Sequence, residues 1–355
     1  MKTIEEFKQA NNFSLLLNLN TKRKLLSPVL VVILAVFFLL GCEKNNLQID
    51  ATGAQVSDMT FDNKVISNVV YGKNTDWLGR KQILALDFYM PFSGLTKDKF
   101  PLIVFFHGGG YNTGSKETVK SQCEILASSG FVVAAAEYRI GWTQDEIYKC
   151  NSNIPESIEA FYRAQQDARA TMRFLVANAN IYSIDPEWIF VAGQSAGAGI
   201  SLALKYWNQD SINYYIPGMA DTLGPLNTSG NNLRNTYNIK GIGSMWGGLE
   251  YSLDIITKDN ATPAIFFHGL LDDTVPWNIG NLYNCDSFPK EYGSKPLYKK
   301  LVSYGVPSVI HIDSTGGHGI YDEQFNMENI ACFFKSIISK QPQTGYYTNK
   351  VTNCK

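Results

Sequence analysis

The sequence predicts an α/β protein, a mostly parallel central sheet with helices on both faces. Three observations carry that prediction. Continuous apolar runs of strand length recur at 101–106, 131–136, 188–192 and 263–267, as expected of strands buried on both faces. Stretches with helical spacing separate them. The chemically capable residues His107, Ser195, His268 and Asp272 each follow such a run, and in parallel sheets ligands gather at that end of the strands. The chain has 355 residues, 45% of them hydrophobic, enough for one large core or two small ones. Its formal net charge of −1 supplies no basic excess for phosphates, which excludes nucleic acid as the main partner. Four histidines, with no H-E-x-x-H or paired C-x-x-C pattern, give no reason to expect a metal centre.

Residues 1–41 read as an export signal. Thr21-Lys22-Arg23-Lys24 is a basic cluster, and an apolar run follows from Leu25 to Leu40, broken only by Ser27 and Pro28. A basic region, a short apolar region and a small residue before a cut make a secretory leader. Gly41-Cys42 resembles the end of a bacterial lipoprotein signal. That resemblance implies lipidation at Cys42 and an exported, membrane-anchored protein facing the periplasm or cell surface. An uncleaved anchor with an incidental cysteine is the alternative. Residues 42–60 are polar and read as a tether.

The folded domain is expected over 61–340. Val65–Tyr71 and Gln82–Met90 read as an antiparallel opening pair, the second stopping at Pro91. Pro101–Phe106 is the third strand and ends in His107-Gly108-Gly109-Gly110-Tyr111. An amphipathic stretch near Glu117–Ser129 and a strand in Gly130–Arg139 follow. A long helix is expected over 155–179, capped by Ser152 or Asn153. Trp188–Ala192 is a strand that runs into Gly193-Gln194-Ser195-Ala196-Gly197 and then a helix-like stretch from Ala198 to Tyr206. Residues 208–238 are rich in Asn, Gly, Pro and Tyr and read as a small insertion over the site. Strands resume at Ile239–Trp246, Pro263–Phe267 and Ser308–Ile312, with helices near 296–304 and 322–339. Residues 341–355 form a polar tail, expected to be loose.

A strand, a sharp turn and a helix are the context of the Gly-x-Ser-x-Gly nucleophile elbow of α/β-hydrolases. Its glycines remove collisions with the flanking strand and helix, and the helix N-terminus favours negative charge beside the serine. A serine hydroxyl needs a base within reach, and the base needs an orienting acid. In this fold they follow the serine in the order acid, then histidine. After Ser195 stand His268, His311 and His318. His311 lies inside a predicted strand, where a structural role is expected. His268 precedes the acid candidates. His318 sits in the loop Gly316-Gly317-His318-Gly319 and is the expected base. Asp272 is the favoured acid, Asp273 its direct competitor, and Asp254 a third choice. The bare N–H groups of Gly109 and Gly110, with that of Ala196, are expected to hold an oxyanion. His107 is expected to brace its loop.

These motifs resemble secreted carboxylesterase-type α/β-hydrolases over about residues 65–340. The pairing of His107-Gly108-Gly109-Gly110 with Gly193-Gln194-Ser195-Ala196-Gly197 is similar to carboxylesterases and hormone-sensitive-lipase-like enzymes. The 268–276 segment is similar to feruloyl-esterase-like, depolymerase-like and prolyl-oligopeptidase-like hydrolases. Gln194 departs from the acidic residue many such esterases carry before the serine. The resemblance implies cofactor-free ester hydrolysis through an acyl-enzyme, on a small or polymer-derived ester such as an acylated carbohydrate. A peptidase, or an inactive tethered binding protein, is the alternative. Trp142, Tyr148, Trp246 and Trp277 lie near loop ends, to stack on substrate or to pack. Of the five cysteines after Cys42, Cys123 and Cys332 fall in expected helices and read as buried thiols. Cys150 and Cys285 lie in loops leaving the same rim and are the suggested pair. An odd count leaves one unpaired within the chain.

Overall fold

The computed structural model of the protein describes residues 64–91 and 99–354. The leader, Cys42 and the tether expected to residue 60 lie outside those residues. The strands are β1 (Lys64–Thr75), β2 (Lys81–Met90), β3 (Phe100–Phe106), β4 (Val132–Ala136), β5 (Ile184–Gln194), β6 (Ile239–Met245), β7 (Leu249–Glu250), β8 (Ala264–Gly269), β9 (Ile279–Asn281), β10 (Lys290–Tyr292), β11 (Ser308–Asp313) and β12 (Gly345–Tyr347). Nine of them form one sheet in the order β1-β2-β4-β3-β5-β6-β8-β11-β12. β1 pairs antiparallel with β2, and β2 with β4. The other pairings in this sheet are parallel.

Period-two alternation divides the strand side chains between two cores. Leu102, Val104 and Phe106 of β3 face one layer, with Ile200 and Leu297; Ile103 and Phe105 face the other, with Leu126 and Phe334. The first layer holds α2 (Ile154–Ala177), α3 (Ala196–Tyr206) and α6 (Ser294–Ser303). The second holds α1 (Lys120–Ser128) and α7 (Glu323–Ile338). Helix α2 starts where the sequence signals it. The Asn153 side chain accepts from the Glu156 N–H at 3.3 Å, and Pro155 occupies the first turn, where its missing N–H costs nothing. Ala160, Ala164 and Ala168, one turn apart, are fully buried and let the helix approach closely. An ion pair fixes α2 to the end of β4: Arg139 Nε lies 2.8 Å from Asp167 Oδ2, both groups buried. Removing either partner strands the other charge, at about 3–5 kcal/mol.

Three expectations are corrected. The 208–238 segment, with helices α4 (Gln209–Tyr215) and α5 (Met219–Leu223), does not line the site. Its polar groups are used on the outer face of α2 and on β1. The Gly230 carbonyl accepts from the Lys73 N–H at 2.9 Å. Asn231 Nδ2 donates to the Tyr71 and Ala170 carbonyls, 2.9 Å each. The cover comes instead from the loop after β4 and from the β7-β10-β9 sheet, stapled by the suggested disulfide Cys150–Cys285. The described part of the tail, 341–354, is not loose either. β12 pairs with β11, Asn353 is buried against His311, and Cys354 is bonded to Cys332. Cys332 is therefore not a simple buried thiol, whereas Cys123 is.

Candidate active site

The turn after β5 gives Ser195 a backbone φ of 53°, a left-handed value that non-glycine residues adopt only where the surroundings impose it. The imposing contacts can be named. A Cβ on Gly193 would stand 2.4 Å from the Gly197 carbonyl carbon, and one on Gly197 would stand 2.1 Å from the Phe106 carbonyl oxygen. Only glycine fits either place, so the serine is lifted to the sheet rim as α3 begins.

Three distant side chains meet there. His318 Nε2 lies 2.8 Å from Ser195 Oγ. His318 Nδ1 lies 2.9 Å from Asp272 Oδ2 and 3.1 Å from Oδ1. The choice between adjacent aspartates is settled by the turn. Asp272 Oδ1 accepts from the N–H groups of Thr274 and Val275, 2.9 Å each, which points the carboxylate inward. Asp273 is exposed and reaches Thr274 Oγ1 at 3.4 Å. Asp254 is exposed and faces Lys300. Burial would raise Asp272, but hydrogen bonds from His268 and His318 and from the turn hold its carboxyl well below the usual range. Asp272 is thus an anion positioned on the imidazole.

The other histidines are structural. His268 Nε2 lies 3.2 Å from Asp272 Oδ2 and 3.1 Å from the Val275 carbonyl, and its Nδ1 faces Ser294 Oγ at 2.8 Å. Both partners of Nε2 are acceptors, so that nitrogen carries the proton and supports the acid from behind. His311 bonds Asn353 Oδ1 at 3.0 Å, and burial lowers it to about 4. His107 stacks on Tyr138 and its Nδ1 bonds the Gly108 carbonyl at 2.7 Å. Burial lowers it too to about 4, so it braces the glycine loop as a neutral ring.

Gly109 and Gly110 have φ values of 117° and 60°, and among the described residues their N–H groups have no acceptor. The N–H of Ala196, first in α3, has none within the helix. Ser195 opens onto two spaces. One is a pocket lined by Gly110 and Ala196 and walled by Tyr111, Trp142, Phe161, Tyr251 and Phe288, with Glu250 and Glu291 also in its lining. The other is an open groove that holds His318, with Gln144, Lys149, Gln194 and Trp246 along it. Of the loop-end aromatics, Trp142 lines the pocket and Trp246 the groove. Tyr148 is exposed, and Trp277 packs under Lys295. The two glutamates and Tyr111 carried no sequence signal.

A protein-family model described as BD-FAE matches residues 86–232. The chain is 33% identical over 116 residues to neuroligin-like protein glit-1 of Caenorhabditis elegans, a match covering 32% of this chain and 15% of the relative. It is 27% identical over 117 residues to carboxylesterase NlhH of Mycobacterium tuberculosis, covering 33% and 32%. The matches span no more than about a third of either relative's length. Among solved structures, the butyrate-bound thermophilic esterase of Thermogutta terrifontis superimposes with a TM-score of 0.52 at 18% identity, over 78% of this chain and 94% of that one; this is a likeness of fold. Sheet order, elbow and structural likeness converge on one placement, and the chain has the α/β-hydrolase fold.

Proposed function

We propose that this protein hydrolyses carboxylic esters through an acyl-enzyme. The observation that carries the reading is the single imidazole, 2.8 Å from Ser195 Oγ on one side and 2.9 Å from Asp272 on the other. Ser195 Oγ attacks the ester carbonyl carbon as His318 Nε2 takes its proton. The carbonyl oxygen becomes an oxyanion received by the N–H groups of Gly109, Gly110 and Ala196, each such donor contributing about 10²–10³ in turnover. His318 returns the proton to the leaving alcohol, and water repeats the sequence on the acyl-serine. Asp272 holds the ring with its proton on Nδ1.

The two spaces at Ser195 divide the substrate. The proton donor to the alcohol is His318, and His318 lines the open groove; the alcohol therefore leaves through the groove. The acyl group takes the walled pocket, from which His318 is absent. An open groove with polar side chains suits a large hydroxylated alcohol, and we extend the reading to acylated carbohydrates. Export and lipid anchoring through Cys42 belong to the same reading. They rest on the basic cluster, the apolar run and Gly41-Cys42.

The test uses short nitrophenyl esters and dipeptide amides with the wild type and Ser195→Ala. The reading expects ester turnover that falls by at least about 10³-fold in the variant. Amide turnover exceeding ester turnover, or no turnover of any ester, would refute it. For anchoring, the wild type is expected to incorporate a radiolabelled fatty acid and Cys42→Ala to incorporate none; an unlabelled wild type would refute lipidation.

A further inference from the structure

Glu250 of β7 and Glu291 of β10 stand directly opposite each other in an antiparallel pair. Like charges in that register destabilise a sheet, and these two are also buried, with 8% and 3% exposure. Glu250 Oε1 accepts from the Tyr111 hydroxyl at 3.2 Å. Among the described residues, Oε2 of each glutamate and the Tyr251 hydroxyl have no hydrogen-bond partner. All four side chains line the pocket that opens at Ser195, and among the described residues no lysine or arginine lines it with them. A pocket for a plain hydrocarbon chain would be closed by leucine or methionine. Unpaired buried acceptors are costly, and they persist where a ligand brings the missing donors.

Building on the esterase reading, we propose that this pocket selects an acyl group whose far end carries a hydrogen-bond donor, a hydroxyl or an amine, received by Glu250 and Glu291. The flat walls of Trp142, Phe161 and Phe288 cover the chain between the ester carbon and that end. They also present π-faces to a cation. Burial raises both carboxyls above the usual range, and the charge of Glu250 raises Glu291 further. The pair therefore keeps a proton over a wider pH range than free carboxyls do. A neutral hydroxyl meets the protonated form, and an ammonium group meets the ionised one. Both give the same polar contact, so the acceptor-rich pocket end fixes the chemistry and the two probes separate the forms.

The experiment compares kcat/KM of the wild type on ethyl hexanoate, ethyl 6-hydroxyhexanoate and ethyl 6-aminohexanoate. An apolar pocket favours the plain chain, because a donor buried without an acceptor is penalised. The expected result is the inverse, at least about tenfold in favour of one of the donor-bearing esters. Glu250→Gln and Glu291→Gln, each checked by melting temperature, are expected to shrink that ratio. A plain ester turned over as well as both others would overturn the proposal. The free acids, added to the wild type while its Tm is followed, supply a readout independent of turnover. A larger Tm rise with 6-hydroxyhexanoate or 6-aminohexanoate than with hexanoate, in a protein that cleaves no ester, would sink the esterase reading and keep the pocket. Equal rises would sink the pocket.

Discussion

Asp272→Asn changes one atom, and the site geometry dictates how the amide must lie. Two backbone N–H groups, of Thr274 and Val275, donate to Oδ1 at 2.9 Å. The asparagine must keep its carbonyl oxygen there, since a backbone N–H can only donate, whereas the two imidazoles at Oδ2 can each shift the ring proton to the other nitrogen. Its NH2 then occupies the Oδ2 position, 2.9 Å from His318 Nδ1 and 3.2 Å from His268 Nε2. An NH2 donates and cannot accept, so His318 Nδ1 becomes the acceptor and the ring proton moves to Nε2. That nitrogen faces Ser195 Oγ at 2.8 Å and can no longer take the serine proton. A wrong tautomer in an otherwise intact triad lowers kcat by about 10⁴, or about 5.4 kcal/mol of barrier at 1.36 kcal/mol per decade. KM is expected to hold, because Asp272 lines neither the pocket nor the groove. The assay is steady-state turnover of nitrophenyl acetate, with the melting temperature as a check on folding and Asp273→Asn as the control. Asp273 is exposed, and its change is expected to stay within about twofold, as surface substitutions do. A folded Asp272→Asn protein with more than a tenth of wild-type kcat, or an Asp273→Asn protein equally impaired, would refute the assignment.

Gly197→Ala is expected to lower activity by about 10²-fold and stability by about 1–3 kcal/mol. Its Cβ would stand 2.1 Å from the Phe106 carbonyl oxygen, and both the overpacking and a serine displaced by about 1 Å carry such penalties; wild-type Tm and kcat/KM in this variant would contradict the packing. Replacing Cys150 and Cys285 by serine opens a link between residues 135 apart in sequence, which the chain-entropy model puts at about 5 kcal/mol. Chemical denaturation is expected to show a loss of at least half that, with a raised KM as the pocket cover loosens, and an unchanged midpoint would count against the bridge. Glu291 titrates in the opposite sense to Asp272. A carboxyl raised in the folded state binds more protons folded than unfolded, so its contribution is fully present below the unfolded carboxylate pKa and is lost as pH rises through the folded one. The groups facing it are Glu250, Tyr111 and Tyr251. Glu291→Gln is expected to gain stability relative to wild type as pH rises from 5 to 8, and a difference independent of pH would refute the buried pair.

What the sequence revealed and what it hid separate along a physical line. The β3, β5 and β8 runs were legible because burial on both faces demands unbroken apolar residues, and the elbow because two glycines are sterically compulsory within five positions. Ser195 and His318 follow from such local constraints. Asp272 could be preferred over Asp273 but not fixed, because the turn bonds to Thr274 and Val275 that aim it inward leave no mark in composition. The tail misled for a related reason. β12 is a three-residue edge strand with Tyr346 exposed, and an edge strand needs no apolar period to pair. Cys332 in α7 looked like core because the helix supplied burial, while its partner lay in that unrecognised tail. The pocket end is the extreme case. Glu250 and Glu291 are brought together by the register of strands two and three residues long, too short for any alternation to be read. On the proposed reading, the serine is held by a motif that acts over five residues, whereas the choice of acyl group is held by a pairing between short strands, so the elbow alone does not reveal which ester is taken.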